Sequence, residues 1–369
     1  MRLCCGTPLR SSIPTGRRRS TLTRDVAYRV DVVRNGAPVT QLQFAADDGP
    51  QIVNDRSATL HGSLKGTFLP NPAAKLESDE LRPWIIIDGV EYPLGTYQAA
   101  TVNTRGSETE RRVEIEAYDR CWRLYAQKTE TIIHLAAGSS YLTEIRKMLT
   151  ACGITLVLAT PSSETLDTDR EDWDIGTPYL TIINQLLDEI NYESVHFDLE
   201  GVCRLKPYQE PRASAIAWRY GTTEIFSPAE HPSPDWADET DLFNAPNVFV
   251  VICNNPDKSG EMMATAVNSN PASSKSIFRR GMRITSVVRV DNIASQAELQ
   301  AYANKLRNES LMSARAVTFY TLAEPGHGTG DILAMTHEDI GGIYVETGWS
   351  MTLEAGALMT HTAKRTVIA

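Results

Sequence analysis

A chain of 369 residues, 42% hydrophobic and 22% charged, has room for two or three domains with real cores and is too apolar for a disordered polymer. Its formal net charge of −10 argues against a surface built to grip phosphates. Residues 1–24 hold six arginines and no acid, which reads as a solvated, disordered basic tail ahead of an acidic body.

The start lacks the apolar core of a signal peptide, and the longest apolar runs, such as 248–253, are too short to cross a bilayer. Six scattered cysteines show no CxxC pattern and fit reduced, buried thiols in a protein made in a cytoplasm.

In chain order, Val26, Tyr28, Val30 and Val32 alternate with polar or small residues, the period of a half-buried strand. Segments 84–87 and 90–92 flank Asp88-Gly89, a pair suited to a two-residue turn in which both positions need positive φ. With strands at 95–102 and around 113–117, residues 25–129 are expected to form an antiparallel meander that closes as a small barrel. A repeat at an offset of 38 residues follows: Gly138…Tyr141-Leu142-Thr143 and Gly176…Tyr179-Leu180-Thr181, each opening an amphipathic helix. The first helix ends at Gly153, and strands follow at 154–158 and around a Glu200-Gly201 turn. Residues 130–208 therefore read as a small α/β domain.

Residues 209–246 read as an acidic, proline-rich linker with a long loop at 227–246. Beyond it, strands are expected at 247–253, 282–290, 315–321, 331–336, 342–347 and 349–354. One helix interrupts them, announced by the capping box Ser295…Glu298. The stretch 254–276 reads as a projecting polar loop. Residues 247–369 are thus expected to form a second antiparallel barrel carrying one helix. The fold class is β-rich α+β, with two antiparallel β-barrel domains flanking a small α/β domain.

Catalytic signatures are largely missing. Gly348-Trp-Ser350-Met-Thr fails the Gly-x-Ser-x-Gly nucleophile pattern, and Gly62…Lys65-Gly66-Thr67 has the wrong spacing for a phosphate loop. Gly326-His327-Gly328-Thr-Gly330 precedes a strand instead of following one, so it reads as a turn. The seven histidines are dispersed, and His337-Glu338-Asp339 has no second histidine beside it. His134 and His196 read as satisfied core or surface residues. Asp167, Asp169, Glu171, Asp172 and Asp174 crowd one loop, but Asp172 and Pro178 stand where a calcium loop needs Gly and Glu. Asp235, Asp238, Glu239 and Asp241 form a second acidic cluster. Both clusters read as solvated, and no catalytic, cofactor-binding or metal-ligating residue is assigned. Paired carboxylates for glycoside hydrolysis stay open, since only their spacing in space identifies them.

The order β, then α/β, then β, with Gly330-Asp331 before a strand, the 342–345 and 349–353 strands and the 295–311 helix, resembles the hub proteins of long-tailed phages. The resemblance covers roughly 25–369 and implies tail-tube-like barrels lying side by side. It implies a structural, non-enzymatic hub of a tail tip or baseplate: a homotrimeric ring joining a sixfold tail tube to a threefold spike or fibre. Its partners would be other tail proteins, namely the tube or distal tail protein, the tape measure and the spike or fibre. DNA would pass through the channel without specific binding. The expected location is the virion, after synthesis in the host cytoplasm. The competing reading is a virion-associated cell-wall or polysaccharide-degrading enzyme, or a glycan-binding module, using a groove between barrel and α/β domain with the 167–174 acids.

Overall fold

The computed structural model describes residues 24–45, 49–106, 111–226, 234–238, 245–254, 262–311 and 315–367. Apart from Arg24, the basic tail lies outside them, as do Glu239 and Asp241 of the second acidic cluster.

The N-terminal part is built of strands: β1 (Val26–Arg34), β2 (Ala37–Leu42), β3 (Gln51–Asp55), β4 (Gly62–Phe68), β5 (Glu80–Ile87), β6 (Val90–Pro93), β7 (Tyr97–Gly106) and β8 (Arg111–Asp119). Two tight turns fold the hairpins. Asn35 and Gly36 have φ of 52° and 79°, and Asp88 and Gly89 have 50° and 81°, the left-handed pair a two-residue hairpin requires. β1 lies between β5 and β2 and is antiparallel to both. That central position buries Val30, Asp31, Val32 and Val33 in a row, overriding the alternation of a half-buried strand.

The middle of the chain contains α1 (Cys121–Ala126), α2 (Tyr141–Ala151), β9 (Val157–Ala159), α3 (Tyr179–Glu189), β10 (His196–Phe197) and β11 (Cys203–Leu205). The 38-residue repeat is real at the helices: both are 11 residues long, and each follows a glycine of positive φ, Gly138 or Gly176. Their apolar faces share one core, including Ile145, Leu149, Ile183 and Leu187. Gly153, at φ 80°, sits just past the first helix as its pattern predicts. The hairpin after α3 is looser than the expected two-residue turn. The Asp198 carboxylate accepts from the backbone N–H of Glu200 and Val202, so the loop spans 198–202.

The C-terminal part comprises β12 (Ile216–Gly221), β13 (Asp235–Asp238), β14 (Val248–Cys253), β15 (Met262–Val267), α4 (Ile277–Arg280), β16 (Thr285–Val290), α5 (Gln296–Leu311), β17 (Arg315–Leu322), β18 (Ile332–Thr336), β19 (Gly342–Thr352) and β20 (Leu358–Arg365). Ser295 caps α5 as expected: its Oγ accepts from the Glu298 N–H at 3.3 Å, and Leu299 and Ala303 are buried.

The structure departs from the expected layout in a specific way. Apart from β9–β11 and β14–β16, the strands run as one 14-stranded sheet, in the order β13-β17-β20-β19-β3-β4-β8-β7-β5-β1-β2, with β18 and β12 added beside β19 and β6 beside β5. The order has two ends, so among the described residues no ring of regular strand pairing closes. Single bridges curl each half back: Phe44 to Phe68, and Phe226 to Tyr320. The junction is β19. The sequence reads it as two strands, 342–347 and 349–354, but it is one strand of 11 residues. Its first half pairs with β18 and its second half pairs with β3. A register shift between Glu346 and Gly348 marks the crossover. The extra residue reverses which positions face inward. Tyr344 therefore joins one core, and Trp349, Met351 and Leu353 join the core of the N-terminal strands. Each such buried side chain contributes about 2 kcal/mol of burial, so the two halves are held together by a shared core as well as by a ladder.

Residues 247–311 also differ from the expected barrel. β14 pairs in parallel with β16 and antiparallel with β15, in a separate three-stranded sheet packed on α5. The 254–276 stretch read as a loop contains β15. Its inward positions, Ala264 and Ala266, are too small to signal a buried face by hydrophobicity. Likewise β13 is a strand paired with β17 inside the expected 227–246 loop.

Candidate functional site

The chemistry of the described chain converges inside the curl of the C-terminal strands. β12 delivers Tyr220, β17 Thr321, β19 Glu346 and β20 His361. The turn before β18 delivers His327. Gly326 and Gly330 flank this turn with φ of 99° and 96°, and a Cβ on Gly330 would stand 2.6 Å from Arg56 Nη1. Asp331 staples the turn by accepting from the Gly328 N–H and from Trp218 Nε1, both at 3.0 Å. The turn reading of this glycine segment holds, but its histidine points into the core.

Glu346 and His361 are 0% exposed, and His327 is 1% exposed. Glu346 bridges the two rings: Oε2 lies 2.7 Å from His327 Nδ1 and Oε1 lies 2.6 Å from His361 Nδ1. The outer ring nitrogens are engaged too, His327 Nε2 by the Tyr220 hydroxyl at 2.7 Å and His361 Nε2 by Thr321 Oγ1 at 2.8 Å. Trp218 stacks on His327 with centroids 4.1 Å apart, and Phe319 stacks on His361 at 4.7 Å.

Counting protons assigns the donors. The single Thr321 hydroxyl proton goes to the Leu322 carbonyl, which can only accept, at 2.8 Å. His361 Nε2 must then donate to Thr321, and one further proton lies between His361 Nδ1 and Glu346. On the other side, the Tyr220 hydroxyl donates to His327 Nε2, leaving His327 Nδ1–H to donate to Glu346. Burial favours the neutral forms. It pushes the Glu346 carboxyl up to about 7, opposed by its hydrogen bond to His361. It also pushes His327 down to about 4 and lowers His361. The shared proton thus rests on Glu346, and a net-neutral chain of hydrogen bonds crosses the core. The three ligand atoms lie within 4.8 Å of one another, close enough to surround a metal ion. Their lone pairs and protons are nevertheless committed to each other and to Tyr220 and Thr321.

Sequence reasoning missed this set because the histidines sit 34 residues apart, and β20 was not recognised as a strand. A signal was present: Met359, His361 and Ala363 alternate at inward positions, and Glu346 follows Tyr344 by two.

Three acids of the 167–174 loop are held in local contacts. In the 167–174 loop, Asp172 pairs with Arg170, Glu171 with His134 at 2.9 Å, and Asp169 accepts from the Ala137 N–H at 2.7 Å. Arg170 is buried and forms two hydrogen bonds to Glu189, which also accepts from the Tyr141 hydroxyl. A cavity of about 620 Å³ is lined by Asp169 and Asp172 of the 167–174 loop, with Asp188 and Arg289. A cavity of about 720 Å³ lies between the large sheet and the middle domain, and the 167–174 acids do not line it. Of the acids that do, Glu193 pairs with Lys206 and Glu210 with Arg307, both at 3.3 Å, and Asp331 holds the turn. His337 accepts from the Asp339 N–H within its turn.

No protein-family model matches the chain, and no curated protein matches it. Solved structures do. A tail protein from Neisseria meningitidis MC58 superposes with a TM-score of 0.63 at 13% identity, covering 92% of this chain and 97% of that one. The 43 kDa tail protein of prophage MuSo2 from Shewanella oneidensis gives 0.61 at 10% identity, covering 92% and 98%. Prophage tail protein gp18 from Listeria monocytogenes EGD-e gives 0.55 at 14% identity, covering 91% and 94%. The resemblance expected from element order is therefore one of fold, extending over nearly the whole chain.

Proposed function

We propose that this chain, which shares its fold with prophage tail proteins over about nine-tenths of its length, is a structural subunit of a phage-type tail, acting as a hub at the tail tip or baseplate. The observation that carries the reading is the junction at β19: two curled groups of strands, antiparallel except for the β12–β18 pair, stand side by side and share one strand. A rigid pair of this kind supplies two similar units per chain. Three chains in a ring would then offer six such units to a sixfold tube and threefold symmetry to a spike or fibre. The return bridges Phe44–Phe68 and Phe226–Tyr320 support reading each group as barrel-like. Residues 130–208 would form the domain between them.

The ring needs heterologous interfaces that close on themselves. Other tail proteins would bind above and below it, and the net charge of −10 suits a channel that DNA slides through without sticking. No catalytic role is assigned. The polar groups of the buried network are satisfied and shut away from solvent, and the cleft acids with assigned partners are tied to basic or backbone groups.

The test is the mass of the full chain by light scattering, alone and with the tail proteins encoded beside it, together with imaging of particles carrying a tagged copy. A trimeric ring and a label at the tail tip are the expected results. A chain that stays monomeric with its partners, or turnover of peptidoglycan or polysaccharide by the pure protein, overturns the reading.

A further inference from the structure

The sheet β15-β14-β16 has two edges that the fold treats differently. At β15, α5 closes the edge: Gln296 Nε2 donates to the Met263 carbonyl at 3.0 Å, and Gln300 Nε2 donates to the Thr265 carbonyl at 3.1 Å. At β16, no described strand or side chain takes the outer edge. Even its core-side residues, Ser286, Val288 and Val290, are only half-buried, while Thr285, Val287 and Arg289 are exposed. The usual defences of an open edge are missing. β16 has no proline, and its six-residue register with β14 has no bulge. Its one charge, Arg289, stands near the C-terminal end. The face away from α5 is mixed, with Met263 60% and Val287 50% exposed beside Thr265, Thr285 and Arg289, and Phe278 is 68% exposed in α4.

The segment's own charge is the reverse of the chain's, although Arg289 also borders a cavity lined by Asp169, Asp172 and Asp188. Residues 262–290 carry five basic residues and no acid, within a protein of net charge −10. Three of the five, Arg279, Arg283 and Arg289, are exposed along the approach to β16 and on it. An open ladder with alternating side chains selects an extended polypeptide over a nucleic acid, because main-chain groups need main-chain partners in register. The arginines select acids on that polypeptide.

We propose that the outer edge of β16 accepts an extended, acid-bearing segment of another virion protein by strand addition. The partner would complete a four-stranded sheet, its backbone pairing with Thr285–Val290 and its carboxylates meeting Arg283 and Arg289. This rests on the tail reading above and names a docking element within it.

Hydrogen exchange of the full chain, free and in purified tail particles, tests the proposal. The outward amides of residues 285–290 should exchange at least tenfold more slowly in the particle. A photo-cross-linking residue at position 287 should join the chain to an acid-bearing segment of a different virion protein. The Arg283→Glu/Arg289→Glu variant should cut that yield at least tenfold while keeping the parent melting temperature, since both residues are exposed. Unchanged amides in particles that contain the chain overturn this inference alone. So does a cross-link to nucleic acid or to a second copy of this chain. Absence of the chain from the particles overturns the tail reading, and this inference with it.

Discussion

Glu346 on β19 and His361 on β20 stand 2.6 Å apart with no exposure to solvent, and one proton serves both. A carboxyl held neutral by burial ties folding to pH, and the sign follows from where the proton is bound. The folded pKa of Glu346, about 7, lies above its ordinary 4.5. Its contribution is complete below pH 4.5 and is lost as pH rises through 7. His327 behaves oppositely: with a folded pKa of about 4 against an ordinary 6.5, its contribution is complete above pH 6.5 and is lost as pH falls through 4.

Glu346→Gln removes the first of these. The stability of the variant relative to the parent should improve by on the order of 3 kcal/mol between pH 4.5 and 7, then level off. Urea unfolding at a series of pH values measures this. A constant difference would show that Glu346 keeps its ordinary pKa in the folded chain.

Glu346→Leu tests the network as structure. It strips two buried imidazoles of their shared partner and should cost roughly 3 kcal/mol at pH 7, read as a lower urea midpoint with an unchanged slope.

The junction at β19 is tested through Gly348. A Cβ there would lie 2.8 Å from the Asn54 carbonyl oxygen, a backbone atom of β3. Gly348→Ala should destabilise by about 2 kcal/mol and speed amide exchange in β3. Gly328→Ala is the control, because its Cβ would meet nothing closer than 3.4 Å, at the Asp331 carboxylate.

In the middle domain, Arg170→Met leaves the buried Glu189 with only the Tyr141 hydroxyl. A cost of about 3–5 kcal/mol is expected, and Arg170→Met/Glu189→Leu should recover much of it. A double-mutant cycle in urea measures the coupling, and equal losses in the single and double variants would refute it.

The thiols provide a further check. Burial raises the Cys121 thiol well above its ordinary range and pushes Cys203 up to about 12. In a Cys4→Ser/Cys5→Ser background, a thiol reagent at pH 8 should react with neither until the chain unfolds. Fast reaction in the native state would contradict their burial.

The sequence by itself determined the local elements whose signal is carried by neighbours along the chain. Asp88-Gly89 specified its turn because few other residues accept positive φ at both positions. The spacing of Ile145, Met148 and Leu149, and of Ile183, Leu186 and Leu187, specified two helices with buried faces. Ser295 and Glu298 specified where α5 begins. What only the tertiary structure decided depends on partners distant in sequence. Gly348 meets Asp55 across nearly the whole chain, so nothing near either residue reports that two curled groups share one strand. β15 and β20 escaped because alanine and histidine at inward positions look polar or neutral until a neighbouring strand buries them. His327, Glu346 and His361 read as scattered polar residues for the same reason: their pairing exists only once β18, β19 and β20 lie side by side and exclude water.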